Sequence, residues 1–157
     1  MSGWPDARVA LVCLDLQRGR LTDGPSRETA ERTVLACRRV LTQARARGWP
    51  ILHVHRREAS PEGARPIAGL EPLPLEPIFY CSGPSAFSHR GFRQAARALG
   101  GPLALIGFSM GDSVLATAFA AADRDIPVEV VADAVAPGRD PMRALAPLAR
   151  IIDSIEL

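Results

Sequence analysis

Two residue types are missing from this chain, lysine and asparagine. All 19 of its basic residues are arginine. Without lysine, no ε-amino group is present to act as a base or to form a Schiff base. Aromatic residues are 5% of the 157 positions, and the arginines are scattered along the chain and not gathered in runs. We therefore expect no nucleic-acid partner.

Long apolar runs are missing as well. No stretch approaches the roughly 18 to 20 apolar residues of a membrane span, and the N-terminal MSGWPDAR does not resemble a signal peptide. We expect no membrane partner and a cytoplasmic location. Cys13, Cys37 and Cys81 are an odd count without C-x-x-C spacing, which predicts reduced thiols. With 47% apolar residues, the composition predicts one globular domain spanning residues 1–157.

Short apolar runs alternate with amphipathic segments, which is typical of βαβ units. The runs predict strands at 8–16, 51–55, 76–81, 103–106, 128–131 and 150–156. The amphipathic segments predict helices at 27–47, 88–99, 112–122 and 142–149. The Pro- and Gly-rich stretch 56–75 predicts a surface loop. The pattern therefore favours an α/β fold, a three-layer α/β/α sandwich around a parallel, Rossmann-like sheet of about six strands.

In such sheets, ligands bind beyond the carboxyl ends of the strands. The predicted strands place at this edge the residues Asp15, His55, Cys81, 107–113 and Asp133.

One of these stretches has two interpretations. Gly107-Phe108-Ser109-Met110-Gly111 fits the G-x-S-x-G elbow of α/β-hydrolases, with Ser109 as nucleophile. That mechanism needs a histidine after the serine in the chain. All three histidines, His53, His55 and His89, precede it. A serine esterase of this type is therefore a minor alternative.

The second interpretation rests on several segments taken in order. They are VCLDLQ, ARARGWPILHVH, GLEPLPLEPIFYCSGPSAF, IGFSMGDSVLATA and VEVVADAVA, and together they cover almost the whole chain. These segments resemble the isochorismatase-like cysteine hydrolases, which include nicotinamidases, carbamoylsarcosine-type amidases and isochorismatases. The resemblance implies a six-stranded parallel sheet, which agrees with the pattern of runs. It also implies a small-molecule substrate and a homo-oligomer.

The resemblance implies an Asp-Lys-Cys triad, in which the lysine helps to hold charge. Only Asp15 matches, because Cys81 stands at the lysine position and Ser113 at the cysteine position. We take Asp15, Ser113 and Cys81 as candidate catalytic residues, and Gln17, Phe87, Phe108 and Ser109 as candidate substrate contacts. Whether an arginine replaces the lysine is open, and the candidates are Arg18, Arg56 and Arg90.

We expect no cofactor and no metal, because His53 and His55 lack the Asp-x-His motif of the metal-binding nicotinamidases. Two classes of function remain open. In the first, the chain hydrolyses a small molecule at an amide-type C–N bond or a vinyl ether, with Asp15 as acid or base and Ser113 as a poor nucleophile or a residue that positions water. The resemblance implies that the aspartate is the proton donor in the vinyl-ether-cleaving branch. Alternatively, the chain is a non-catalytic protein that binds a small ligand, or an interaction subunit, on the same fold.

Overall fold

The computed structural model describes residues 8–22, 24–136, 145 and 147–157. Its centre is a six-stranded parallel sheet in the order β3-β2-β1-β4-β5-β6. The strands are β1 (Ala10–Leu14), β2 (Ile51–Arg56), β3 (Ile78–Cys81), β4 (Leu103–Gly107), β5 (Val128–Val135) and β6 (Arg150–Ile152). The predicted α/β fold is confirmed. Strand order reverses between β1 and β4, and a crevice opens at such a point.

Helices cover both faces of the sheet. They are α1 (Gly19–Thr22), α2 (Arg27–Ala46), α3 (Pro61–Ala64), α4 (Arg90–Leu99) and α5 (Leu115–Ala122). Alternate residues of β1 enter opposite cores: Val12 and Leu14 pack on the side of α4 and α5, whereas Leu11 and Cys13 pack on the side of α2. Period-two alternation with both faces apolar is why β1 appears as one continuous apolar run.

Local sequence explains where the helices begin and end. The Ser26 hydroxyl accepts a hydrogen bond from the backbone N–H of Thr29 at 3.2 Å, which caps α2. Gly100 ends α4 in the left-handed conformation, with a φ of 66°. The predicted helix at 88–99 begins two residues later than expected, because His89 is its N-cap and accepts from the N–H of Phe92.

The fifth strand is longer than the predicted 128–131. It runs to Val135, so the prediction that Asp133 lies at the crevice is wrong. The Asp133 carboxylate instead accepts hydrogen bonds from the backbone N–H and the hydroxyl of Ser154, at 2.7 and 2.5 Å. Its role is to fasten the C-terminal turn to β5.

Three further predicted segments, in the C-terminal region and in the loop after β2, remain to be compared with the structure. The strand predicted at 150–156 ends at Ile152, because Asp153 and Glu156 form a capping box that turns the chain into a 3₁₀ helix. The helix predicted at 142–149 lies mostly outside the described residues. The predicted loop 56–75 contains α3, and Ile67 and Leu70 of this segment are buried against the α2 core.

All three cysteines are free and buried. Within the described ranges, none of the helices has the length and apolar character that crossing a membrane requires.

Candidate active site

Asp15 follows β1 directly and lies at the strand-order reversal. Its backbone is left-handed, with a φ of 55°. Aspartate tolerates this conformation better than most residues, and such strained positions cluster at functional sites. The N–H of Asp15 donates to the carbonyl of Val54 at 2.9 Å, and only 1% of the residue is exposed. The strand end therefore holds a carboxylate that is buried at the crevice.

The segment after β4 brings Ser113 to the same place. Gly107 has a φ of 140°, and a Cβ there would lie 1.9 Å from the carbonyl oxygen of Leu14. Only glycine fits this approach of β4 to β1. Ser109 is also left-handed, with a φ of 65°, and a π-helical turn over Met110–Val114 precedes α5. Single π turns are frequent at functional sites.

Asp15, Ser113 and Arg56 form a compact triad. The Ser113 hydroxyl donates to Oδ2 of Asp15 at 2.5 Å and accepts a short hydrogen bond from Nη2 of Arg56. The Nε of Arg56 lies 3.5 Å from the same Asp15 oxygen. One hydroxyl is thus bound between a carboxylate and a guanidinium. Of the three arginines left open by the sequence, Arg56 supplies the positive charge.

Hydrogen bonds hold Arg56 at its backbone and at its head group. The amide of Gln17 pairs with its backbone, donating to the Arg56 carbonyl and accepting from the Arg56 N–H, each at 2.8 Å. The head group donates to Oδ2 of Asp112 at 2.6 Å. Its side chain is 16% exposed. Gln17, a predicted substrate contact, therefore positions Arg56.

The other two arginines lie elsewhere. Arg18 pairs with Glu62 at 2.6 Å, and Arg90 is exposed on α4.

Burial and charge oppose each other at Asp15. Burial raises the pKa of its carboxyl group above the ordinary range, although the Ser113 hydrogen bond and the charges of Arg56 and Arg20 act to lower it. Burial likewise acts to lower the pKa of Arg56, but the Asp112 hydrogen bond and the charge of Asp15 outweigh it, and the net shift is upward. Arg56 therefore keeps its positive charge, whereas burial favours the protonated form of Asp15 more than in an exposed aspartate.

A second ion pair borders the triad. Arg20 and Glu58 lie 3.0 Å apart, with side chains 19% and 17% exposed. Sequence reasoning missed Arg20, Glu58 and the role of Asp112. The position of Arg56, as the first charged residue after the apolar run of β2, was the one available signal. It places the residue at the same edge as Asp15.

The remaining predicted residues are arranged differently. The Cys81 thiol is buried and donates weakly to the carbonyl of Ala86. Burial raises its pKa, and the charge of Asp15 adds to the rise, so the thiol stays neutral. Phe87 and Phe108 are buried in the cores on opposite faces of the sheet, whereas Ser109 is half-buried. The structure thus brings Asp15 and Ser113 together and leaves the two phenylalanines in packing positions.

The two strand histidines, His53 and His55, are buried in β2. The Nε2 of His53 lies 2.9 Å from Oε1 of Glu76, and the ring of His55 is edge-on to that of Tyr80 at 5.9 Å. In the part of the chain that the structure describes, no cluster of three or more His, Cys, Asp or Glu side chains is arranged to hold a metal ion.

The fold and site define a class of protein. It is an α/β/α sandwich in which a carboxylate, a hydroxyl at a helix entry and a cation meet at the carboxyl edge of the sheet. The family model of the Isochorismatase domain matches residues 9–148, and the chain belongs to this family of hydrolases.

Solved structures agree with this assignment. An isochorismatase from Pseudomonas putida KT2440 is 26% identical, with a TM-score of 0.86 over 96% of this chain and 90% of that one. An isochorismatase family protein from Desulfovibrio vulgaris is 26% identical, with a TM-score of 0.82 and 96% of both chains covered. An N-carbamoylsarcosine amidase from Thermoplasma acidophilum shares the fold at 24% identity, with a TM-score of 0.81 over 96% of this chain and 98% of that one. No curated protein matches the chain significantly in sequence.

Proposed function

We propose that this protein hydrolyses an amide-type C–N bond of a small molecule, with Ser113 as nucleophile, Asp15 as base and Arg56 as the cationic partner. The observation that carries the proposal is the position of the Ser113 hydroxyl, 2.5 Å from Asp15 and hydrogen-bonded to Arg56. A base and a cation on one hydroxyl both favour its deprotonated form. They compensate in part for the higher pKa of a serine hydroxyl compared with that of a cysteine thiol.

The reaction proceeds through an acyl-enzyme. Ser113 Oγ attacks the carbonyl carbon while its proton passes to Asp15, and Arg56 stabilises the developing negative charge. The C–N bond then breaks as Asp15 returns the proton to the leaving nitrogen. Water attacks the acyl-enzyme, giving its proton to Asp15, and the acid leaves as Ser113 is protonated again. One water is consumed for each bond cleaved.

Substrate reaches the triad past Arg56. Asp15 and Ser113 are each 1% exposed, whereas the side chain of Asp112, which binds Arg56, is 49% exposed. The guanidinium, which is hydrogen-bonded to both Ser113 and Asp112, therefore lies between the buried hydroxyl and the more exposed carboxylate. We infer that a bound substrate takes over part of the hydrogen bonding that Arg56 now gives to Ser113.

One observation favours a second reaction. Burial raises the pKa of Asp15, and a protonated carboxyl group is what the cleavage of a vinyl ether requires. There Asp15 would protonate the vinyl carbon, and water would add to the resulting oxocarbenium carbon. Breakdown of the adduct yields a ketone and an alcohol, and Ser113 is needed only to orient the carboxyl group.

Asp15→Asn tests the residue that both reactions use, and Ser113→Ala separates the two reactions. Purified protein is assayed against simple amides, carbamoyl compounds and vinyl ethers. We expect Asp15→Asn to lower kcat by about 10²- to 10⁴-fold, as for loss of a general acid or base. Ser113→Ala is expected to abolish amide hydrolysis. Vinyl-ether cleavage that survives Ser113→Ala would replace the first reaction by the second.

A fluorophosphonate probe tests the nucleophile itself. Mass spectrometry is expected to find the label on Ser113, and labelling of Ser109 instead would point to the α/β-hydrolase alternative. If the wild type turns over none of the three classes, but one of them raises its Tm, the protein is a binding protein and the hydrolase proposal is wrong.

A further inference from the structure

A groove away from the triad runs between α4 and the end of α5. It encloses about 650 Å³, which lies in the range of small-ligand sites. Four arginines line it: Arg90, Arg93, Arg97 and Arg124. Asp125 is the one acidic residue among the lining residues. The groove therefore concentrates positive charge on a chain whose formal net charge is only +2.

The arginines of this groove differ in their pairing from eight other described arginines. Each of those eight forms an ion pair with a carboxylate; they are Arg18, Arg20, Arg27, Arg32, Arg39, Arg45, Arg56 and Arg65. Among the described residues, none of the four arginines of the groove has a carboxylate within ion-pair distance. Within the described ranges, the groove thus gathers cations that form no ion pair.

Three of these arginines also cost α4 stability. Arg90, Arg93 and Arg97 are spaced by three and four positions, so they lie on one helical face. Like charges at these spacings destabilise a helix. The helix sequence RGFRQAARAL contains no acidic residue that offsets the repulsion. An anion bound in the groove would remove this cost.

Two of the guanidinium groups are held in place by the protein. Arg93 donates to the carbonyl of Phe87 at 2.7 Å and to that of Ser88 at 3.2 Å. Arg124 lies over the Phe87 ring, 4.8 Å from its centroid, and donates to the carbonyl of Ala120 at 2.8 Å. Because these head groups are already ordered, a ligand loses less entropy on binding them.

We propose that this groove binds a small polyanion, a molecule with at least two phosphate or clustered carboxylate groups. Guanidinium groups bind both kinds of group through paired hydrogen bonds. A single-stranded nucleic acid fits less well, because such binding uses exposed aromatic faces. The ring of Phe87 is 3% exposed and covered by Arg124.

Calorimetric titration with inorganic triphosphate, and separately with citrate, tests the proposal at constant ionic strength. We expect saturable one-to-one binding of at least one of them. Comparison of the two dissociation constants shows whether phosphate or carboxylate groups are preferred. The double variant Arg90→Gln/Arg97→Gln is expected to weaken it about tenfold or more, since hydrogen bonds between charged groups are lost. Arg93 and Arg124, which also contact backbone carbonyls, are left intact.

The matched control is Arg27→Gln/Arg32→Gln on α2. It removes the same charge from exposed residues that have acidic partners. Binding that weakens equally in both double variants would be non-specific attraction and would overturn the proposal, as would absence of saturable binding to the wild type. Light scattering measures whether copies of the chain associate through the groove. If only the α4 variant separates associated copies, and no anion binds, the groove is an interface between copies and the proposal is wrong.

The site is also distinct from the triad. We expect Arg56→Met, which removes the cation of the triad, to bind the anion as tightly as the wild type does. Loss of binding in that variant would place the anion at the triad and would overturn a separate site.

Discussion

At the scale of single residues, Arg56 is the feature that changes how the site is understood. The chain contains no lysine, and Cys81, which the resemblance predicts at the lysine position, is buried. A cation nevertheless lies beside the Ser113 hydroxyl, because the end of β2 carries an arginine whose head group reaches Asp15, Asp112 and Ser113. We propose that Arg56 supplies, from a neighbouring strand, the positive charge that the family resemblance assigns to a lysine.

Arg56→Met tests this role. Removing the guanidinium leaves the buried Asp15 carboxylate without its cation, so we expect the pKa of Asp15 to rise further. The acid limb of the pH–rate profile should move to higher pH, with kcat lowered by about 10²-fold or more. Arg57→Met removes the same charge from the adjacent exposed residue and is expected to leave the profile unchanged. Identical profiles for the two variants would remove Arg56 from the mechanism.

At the scale of elements, the turn from β4 into α5 depends on the close approach of two strands. Gly107 faces the backbone of Leu14 in the neighbouring β1, and Phe108 continues the contact by donating to the Leu14 carbonyl at 3.0 Å. This contact brings the segment that carries Ser113 next to the residue after β1, which is Asp15. The geometry of the site is thus a consequence of sheet pairing.

Gly107→Ala is expected to lower the free energy of unfolding by about 3 kcal/mol or more, from backbone strain and from the clash with Leu14. Gly111→Ala is the control in the same segment. A Cβ at Gly111 meets no atom within 4 Å, and we expect a change within about 1 kcal/mol. Urea denaturation of both variants measures the difference. Equal stabilities would show that the β1–β4 contact does not require glycine.

At the scale of the whole molecule, we expect the free energy of unfolding to fall in mildly acidic solution because of His55. Burial lowers the pKa of His55 from 6.5 to about 4, and the nearby His53 adds to this shift. Between these two values, the unfolded chain binds a proton that the folded protein does not. The contribution of His55 is therefore complete above pH 6.5 and is lost progressively as the pH falls toward 4.

Denaturant unfolding at pH 7 and pH 5 measures this effect. We expect His55→Leu to show a smaller loss of stability between the two pH values than the wild type, by up to about 1.4 kcal/mol per pH unit. Groups that do not interact with His55, such as Glu76, contribute equally to both proteins. His89→Asn, which retains a capping side chain on α4, should keep the wild-type dependence. A His55→Leu profile parallel to that of the wild type would contradict the prediction.

The sequence by itself determined the architecture and one half of the site. Alternating apolar runs specify a parallel sheet, since buried strands and amphipathic helices carry local periodicity. Because Asp15 follows β1 and Ser113 lies in the turn after β4, their meeting at one edge followed from the topology. The C-terminal strand was predicted too long, because the capping box of Asp153 and Glu156 competes with strand extension.

Only the tertiary structure decided which arginine completes the triad and what else surrounds it. Arg56 is separated by 56 and 57 positions from Asp112 and Ser113, and local patterns do not record such distant partners. An arginine side chain is long and flexible, so its head group is located by the charges and carbonyls around it. The groove beside α4 is explained in the same way. That its arginines form no ion pair with a described carboxylate becomes evident only from the tertiary structure.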